Sequence, residues 1–590
     1  MPVRDTAPWS RTAAASGVRP GAGFARRFLR DEDGTLIIFG IFAFVIMLMV
    51  AGIGVDLMQF ERNRSNLQST MDRAVLAAAD LDQKLDPQAV VNDYLAKAGL
   101  SEYLSNVTVE SGIGYRIVSA TAEGSFETQF MKLSGVETLT MPAATTAEER
   151  IDGVEISLVL DVSGSMNSNS RLTNLKSAAK DFIDQMVENS TDGNLSISII
   201  PYATQVSLPD YMISQFNVST EHAYSNCVNF SSADFNSASM NPAAPLSRTM
   251  HFDPWNDFDG RDNDPKELVG LDSGLNRTLP VCEALSSREI LPLSKNATVL
   301  KNYIDAFMAR GNTSLDVGMK WGTALLDPSL KGVVSSMVSS GNIDAAFSDR
   351  PANYDDGDTL KVIVLMTDGQ NTSQYYINDG YRSGDSNIWW NDQEEKYSVY
   401  VGLDADDDDG DGITGEPLFY WPFDNTWHDH AYGEGTYDET VYERECTSYR
   451  RSGSCRRYRT VATTVTVDEP GSAAILSYAD LWAYTTMESV VEDLYEPWMN
   501  DSEAWNDWYY SVRNYVNSNT KDARTKAICD AAKEQDIIVF TIGFEAPWSG
   551  KQVIKDCASS NSHFFDVNGL EIADAFSSIA SSIRKLRLTQ

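Results

Sequence analysis

The order of apolar and polar positions divides the chain into unlike stretches. "LIIFGIFAFVIMLMVAGIGV", Leu36 to Val55, is twenty residues without a charge, the length a helix needs to cross the hydrocarbon core of a bilayer. Beyond it Phe60, Leu67, Met71, Ala74, Val75 and Ala78 keep one helical stripe with no Gly or Pro among them. The helix is therefore predicted to continue to about residue 84. From Val107 to about Met141 the pattern alternates, with Gly at turn positions, and predicts a few strands. "PAATTAEER", Pro142 to Arg150, reads as a linker.

From Val154 onward near-continuous apolar runs take turns with amphipathic stretches. "VEISLVLD", "LSISIIPYA", "LKVIVLMTDG", "DIIVFTIGF" and "HFFDV" read as strands. "RLTNLKSAAKDFIDQMV", "ATVLKNYIDAFMA", "SLDVGMKWGTALL", "DARTKAICDAAKEQ" and "IADAFSSIASSIRKLRL" read as helices. Apolar strands alternating with helices predict an α/β fold, a parallel sheet covered on both faces. Its ligand crevice lies outside the carboxyl ends of the strands. Two long segments, about 204–294 and 373–520, interrupt the alternation. Their Tyr, Trp and Cys content predicts folded insertions rather than disordered ones. The expected organisation is a disordered cytoplasmic tail (1–35), a membrane helix with an extension (36–84), a small β-rich segment and linker (85–150), and the α/β domain with its insertions (151–590).

Charge changes this picture in one respect. The 590 residues carry a formal net charge of −37, which argues against nucleic acid and against anionic lipid head groups as partners. Yet residues 1–30 hold Arg4, Arg11, Arg19, Arg26, Arg27 and Arg30 against Asp5 alone. That asymmetry places the N-terminus in the cytoplasm and the rest across the membrane. A cleaved signal peptide is the competing reading, but the apolar run exceeds the usual h-region and no A-x-A site follows. The six cysteines form no C-x-x-C pair, and an even number in an exported region favours disulfides. Fifteen pairings are possible and the sequence does not choose among them; the most economical joins sequence neighbours, Cys227–Cys282, Cys446–Cys455 and Cys529–Cys557.

The candidate chemistry lies at the strand ends. "LVLDVSGSM" places Asp161, Ser163 and Ser165 as D-x-S-x-S where a strand gives way to a turn. This all-oxygen set suits a hard cation, Mg²⁺ or else Mn²⁺ or Ca²⁺. Taken alone it is equally a polar turn with a helix N-cap. Further oxygens must come from other loops, and Thr313 in "GNTS" and Asp368 in "LMTDG" occupy the same edge. "DVSGSM", "GNTSLDVG" and "VLMTDGQNT" together resemble the von Willebrand factor A (VWFA) domain and its metal-ion-dependent adhesion site, over about residues 154–590 without the insertions. The resemblance implies a Rossmann-like fold. It implies that Ser163 and Ser165 are direct ligands, that Thr313 binds directly or through water, and that Asp161 and Asp368 act mainly through water. It also implies that a partner's carboxylate completes the shell.

The segment around Leu36–Val55, with G-V-D after the apolar run, L-Q-x-x-x-D and an Ala-rich end, resembles the TadE/TadG-type segment of Flp pilus assembly proteins. Ahead of a VWFA domain ending "FSSIASSIRKLRL" it is similar to TadG-like proteins of Gram-negative bacteria. Processed pilin-like members have Glu five residues after the cleavage glycine. Counting from Gly34, Phe39 stands there, so retention as an anchor is expected. The resemblance implies a single-pass inner-membrane protein with its bulk in the periplasm, binding a Tad secretion or pilus component. The alternative is a surface-exposed adhesin using the same site.

Asp407, Asp409 and Asp411, followed by Gly412, match the start of a D-x-D-x-D-G calcium loop. Leu418 stands where that loop needs an acid, and a solvated acidic loop is the competing reading. No G-x-S-x-G, H-E-x-x-H or P-loop occurs, and a non-enzymatic binding protein is expected.

Overall fold

The computed structural model describes residues 34–80, 83, 85–112, 115–150, 153–188, 190, 194–256, 279–355, 359–405, 408 and 410–586. Nearly all of the expected tail (1–35) and both Asp407 and Asp409 lie outside these residues. The chain forms two compact units, one over residues 1–111 and 116–149 and the other over essentially all of 150–590.

In the first unit, helix α1 spans Gly34–Ala79. Residues Leu36–Ala79 include a window of mean hydropathy 3.0, long and apolar enough to cross a membrane. The C-terminal part of α1 turns its predicted stripe inward. Leu67, Met71, Ala74, Val75 and Ala78 pack against Val90, Val91 and Leu95 of α2 (Pro87–Lys97) and against Val118, Ala120 and Met141. The last three come from a sheet ordered β1-β2-β3, made of Leu104–Gly112, Tyr115–Glu127 and Thr138–Arg150. Two expectations are corrected here. The 85–150 segment opens with a helix, started by Asp86, which accepts from Ala89 N–H, with Pro87 in the first turn. "PAATTAEER" is not a linker but the second half of β3. Its polar face looks outward while Met141 and Ala143 look in, and a strand with one wet face shows no apolar run.

Near the end of the apolar run, the buried Asp56 carboxylate accepts the N–H groups of Gln129 (3.2 Å), Phe130 (2.7 Å) and Met131 (2.6 Å). A Cβ on Gly52 would collide with the Phe130 ring. The β2–β3 connection is thus seated on a glycine and tied to a carboxylate one helical turn further on. Charge-assisted hydrogen bonds each contribute about 1.5–3 kcal/mol. Asp56→Ala is expected to destabilise this unit by at least about 2 kcal/mol and to expose 104–150 to limited proteolysis in isolated membranes. Protection equal to that of the parent chain would refute this role.

The second unit is built on a six-stranded sheet. Strands β4 (Gly153–Asp161), β5 (Leu195–Tyr202), β6 (Leu291–Ser294) and β7 (Thr359–Thr367) are joined by two later strands, β15 (Ile538–Phe544) and β16 (Phe564–Val567), in the order β16-β15-β7-β4-β5-β6. All neighbours are parallel except β5 and β6, which are antiparallel. The sheet therefore departs from the wholly parallel expectation at one edge, and β6 lies inside the span read as the first insertion. Leu158 and Leu160 face α3 (Arg171–Glu188) and the last helix, α9 (Glu571–Leu586), among Phe182, Phe576 and Ile579. Val159 faces the other way, toward α5 (Leu315–Ala324) and Trp321. Further helices of this unit include α4 (Ala297–Asp305), α6 (Lys331–Ser339), α7 (Ser518–Lys533) and α8 (Trp548–Cys557). Sequence periodicity missed α6 and α8.

The insertions are folded and share a core. The second carries an antiparallel sheet ordered β11-β10-β9-β8-β14, from Asp385–Asn391 (β8), Lys396–Leu403 (β9), Pro417–Trp421 (β10), Thr426–His428 (β11) and Ala473–Ser477 (β14). Met250, Phe252 and Val281 of the first insertion join Ile388, Trp482, Val490 and Tyr509 of the second in one apolar cluster. Tyr509 donates to Pro254 O at 2.8 Å. The aromatic stretch 496–512 is packing: Trp498, Trp505 and Trp508 lie against this core. A separate ribbon, β12 (Thr436–Tyr449) with β13 (Cys455–Asp468), rises from the same insertion. Disulfides join Cys227–Cys282, Cys446–Cys455 and Cys529–Cys557.

Candidate metal-binding site

The five oxygen-bearing residues singled out from the sequence meet at the carboxyl ends of β4 and β7. Leu160 pairs with Met366 across these strands, so Asp161 and Asp368 emerge side by side. Asp161 is fully buried. One of its oxygens accepts the Ser163 N–H at 2.8 Å and the other accepts from Thr367 Oγ1 at 2.7 Å. Ser163 Oγ lies 3.1 Å from Ser165 Oγ, which donates to Asp368 Oδ1 at 2.7 Å. Thr313 Oγ1 and Ser165 Oγ would both stand 3.8 Å from a Cβ placed on Gly369. Ser163, Thr313 and Asp368 are buried, whereas Ser165 is exposed. The cluster is therefore open to solvent on the Ser165 side.

Backbone geometry fixes the loops. Gly164 N–H donates to Gly311 O at 2.9 Å, so the Ser163 and Thr313 loops touch. Gly311 has φ +82°, and a Cβ there would press on Thr204 Oγ1, so only glycine fits this turn. Thr313 N–H donates to Thr372 Oγ1 at 2.9 Å and Thr372 N–H donates to Thr313 O at 3.1 Å. From α7 the buried Lys521 ammonium donates to Thr313 O (2.7 Å), Ser314 Oγ (2.6 Å) and Thr372 O (2.8 Å). Burial pulls that ammonium down to about 8.

The electrostatics are those of two acids with too few counter-charges. Burial first, and then the neighbouring Asp368, pushes the Asp161 carboxyl up to about 7. Burial also raises Asp368, against the lowering effect of Ser165 and Arg171. Arg171, at the start of α3, donates to Asp368 Oδ2 at 2.8 Å and to Glu545 Oε2 at 2.9 Å. Tyr202 OH donates to Met366 O at 2.9 Å beneath the pair. Sequence reasoning missed Arg171, Tyr202, Thr367, Lys521 and Glu545. Only Thr367, adjoining Asp368, carried a local signal. Chemically, hydroxyls and carboxylates converging from three loops, with one side open, form a set of hard oxygen donors.

Elsewhere, Asp411 approaches Glu416 and Asp429, with ligand oxygens within 4.8 Å of one another. Of the expected calcium loop, Asp411 is the member among the described residues. His430 Nε2 meets Glu469 Oε1 at 3.1 Å and His428 stacks on Trp421, so these two neighbouring histidines are engaged in an ion pair and in packing.

A family model described as "Putative Flp pilus-assembly TadE/G-like" (Tad) matches residues 34–81. No curated protein matches the chain. Among solved structures, the chain is similar to the vWF domain of the type V pili tip protein Mfa5 from Porphyromonas gingivalis. Identity is 12%, 73% of this chain and 95% of that chain are covered, and the TM-score is 0.28. The PilB minor pilin from Streptococcus sanguinis is 13% identical, with 82% and 78% covered and a TM-score of 0.25. The adhesive tip pilin GBS104 from Group B Streptococcus agalactiae is 12% identical, with 73% and 100% covered and a TM-score of 0.24.

A carboxyl whose folded-state pKa is raised keeps its proton in the folded chain while the unfolded chain has lost it, so folding is weakened as pH rises through that interval. For Asp161 the interval runs from the ordinary aspartate value of 3.8 to about 7. With divalent ions chelated, the melting temperature of the parent chain is expected to fall from about pH 4 to about pH 7 and to level off above that, by on the order of 2–4 °C for each kcal/mol lost. Asp161→Asn is expected to flatten that slope. Parallel melting curves for the two chains would show that the buried pair is not the source.

Proposed function

We propose that the chain is a membrane-anchored, metal-dependent protein-binding protein of VWFA type, serving Tad/Flp pilus assembly or envelope scaffolding. The observation that carries the reading is the meeting of Asp161, Ser163, Ser165, Thr313 and Asp368 from three separated loops on one strand edge. Two buried carboxylates there carry more negative charge than Arg171 offsets, and a divalent cation such as Mg²⁺, or Mn²⁺ or Ca²⁺, suits that deficit. Ser163 and Ser165, with Thr313, would hold it by neutral hydroxyls. Asp161 and Asp368 would balance its charge and orient water. A cation held so remains electrophilic toward a carboxylate from a protein partner arriving on the open Ser165 side.

The match at residues 34–81 supports a role in pilus assembly, and the apolar helix supports a single-pass anchor. The arginines of residues 1–30 support a cytoplasmic N-terminus. The three disulfides suit an oxidising compartment such as the periplasm. The Asp411, Glu416 and Asp429 cluster is a candidate for an additional Ca²⁺ within the same reading.

Calorimetry on the full chain in detergent tests the site. Asp161→Ala and Ser165→Ala are expected to weaken Mg²⁺ binding at least about tenfold, the lower end for disturbed metal shells. Co-purification of a partner should be lost with EDTA and return on adding Mg²⁺ or Mn²⁺. If both variants bind Mg²⁺ and partner as the parent does, the site is a capped turn and no more. Topology is tested separately. Alkaline phosphatase fused after Arg150 should be active, and a stable but inactive fusion would reverse the orientation.

A further inference from the structure

The ribbon of β12 and β13 has no place in that reading. Each strand has 14 residues, about 48 Å at 3.4 Å per residue, and among the described residues they pair only with each other. None of their residues is buried. A two-stranded hairpin with both faces in water is marginally stable. The Cys446–Cys455 disulfide staples its tip, but the long shaft gains nothing from a core.

Two properties of the shaft indicate what covers it. The first is its free edge. From Thr460 to Val467, β13 has no charge and no Pro, and every residue except Ala462 is β-branched. Its pairing with β12 runs without a bulge from Thr460 to Asp468. Soluble proteins guard such edges with charges, prolines or bulges. The second is charge polarity. The tip holds Arg444, Arg450, Arg451, Arg456, Arg457 and Arg459 against Glu445, in a chain whose net charge is −37. The base holds Asp438, Glu439, Glu443 and Asp468 and no basic residue. These charged side chains are all exposed.

We infer that β13 pairs antiparallel, edge to edge, with β13 of a second copy of this chain, making a four-stranded sheet about a two-fold axis near Thr463 and Thr464. An isologous contact needs a self-complementary surface, and this strand supplies one. The midpoint between Arg459 and Asp468 falls between Thr463 and Thr464, at the centre of the uncharged run. Antiparallel pairing lays each arginine tip along the other copy's acidic base, whereas parallel pairing would set arginine against arginine. Arg459 already meets Glu445 across its own ribbon at 2.6 Å, which leaves Arg456 and Arg457 to reach outward. An anionic lipid surface would engage the tip alone and leave the uncharged edge open. Opposed residues in antiparallel strands lie about 4.5–5.5 Å apart at Cα, within disulfide range.

All six cysteines are in disulfides and none is free, so an introduced cysteine is the sole thiol. Thr463→Cys and Thr464→Cys chains, separately and co-expressed, are oxidised in native membranes and run on non-reducing gels. A cross-linked dimer in at least one of the three samples is expected, and its absence from all three overturns the inference. In the cross-linking background, Arg456→Glu/Arg457→Glu/Arg459→Glu should reduce the dimer at least tenfold. Adding Asp438→Arg/Glu439→Arg/Asp468→Arg should restore it, which also shows that the first triple variant had not simply misfolded. A dimer that ignores the first triple, or is not rescued by the second, overturns the charge-matched pairing. Capture of the parent chain on phosphatidylglycerol vesicles, abolished by the first triple and without any cross-link, would make lipid the occupant instead.

Discussion

The larger unit depends on two carboxylates that leave neighbouring strands together. β4 and β7 are buried on both faces, so Asp161 and Asp368 are delivered into a region of low polarity at one edge of the sheet. Like charges so placed cannot both remain ionised without donors or a cation. The surroundings follow from that constraint. Thr367 and the Ser163 N–H serve Asp161, Ser165 and Arg171 serve Asp368, and Glu545 holds Arg171 in place. The Lys521 contacts then lock together the loops that bring Thr313 to the same edge.

How much of this was legible depended on where each signal sits along the chain. Strands buried on both faces write themselves as continuous apolar runs, and β4, β5, β7 and β15 were readable for that reason. D-x-S-x-S is a local spacing, and Thr313 and Asp368 occur next to recognisable elements. Glu545 and Lys521 reach the site from distant segments, and nothing in their local sequence announces the contact, while Arg171, six residues after Ser165, reads locally only as the first residue of a helix. β6 has four residues inside a loop-rich span, too few to establish a period. The outer half of β3 is polar on its wet face and looked like a linker.

The two insertions interrupt the α/β alternation at different places. Their apolar residues instead complete one another: Phe252 and Val281 have their partners more than a hundred residues later, around Trp482 and Tyr509. Such pairings are non-local and slow to form. The disulfide Cys227–Cys282 ties together residues 55 apart within the first insertion, which removes part of the loop-closure cost of that search.

The seat of Phe130 on Gly52 and the Asp56 clasp lie sixteen and twenty residues beyond Leu36, or about 24 and 30 Å along a helix. Thirty ångströms is roughly one hydrocarbon thickness. On the proposed single-pass reading the clasp would act as a depth gauge. If the proposed anchor sets Leu36 at one face of a bilayer, the Gln129–Met131 connection would come to rest at the other, with the exposed Phe130 and Leu133 at the height of the head groups. Because the same helix continues unbroken into the small core, tilt or rotation of a membrane-spanning half would pass directly to that unit, as along a rigid shaft.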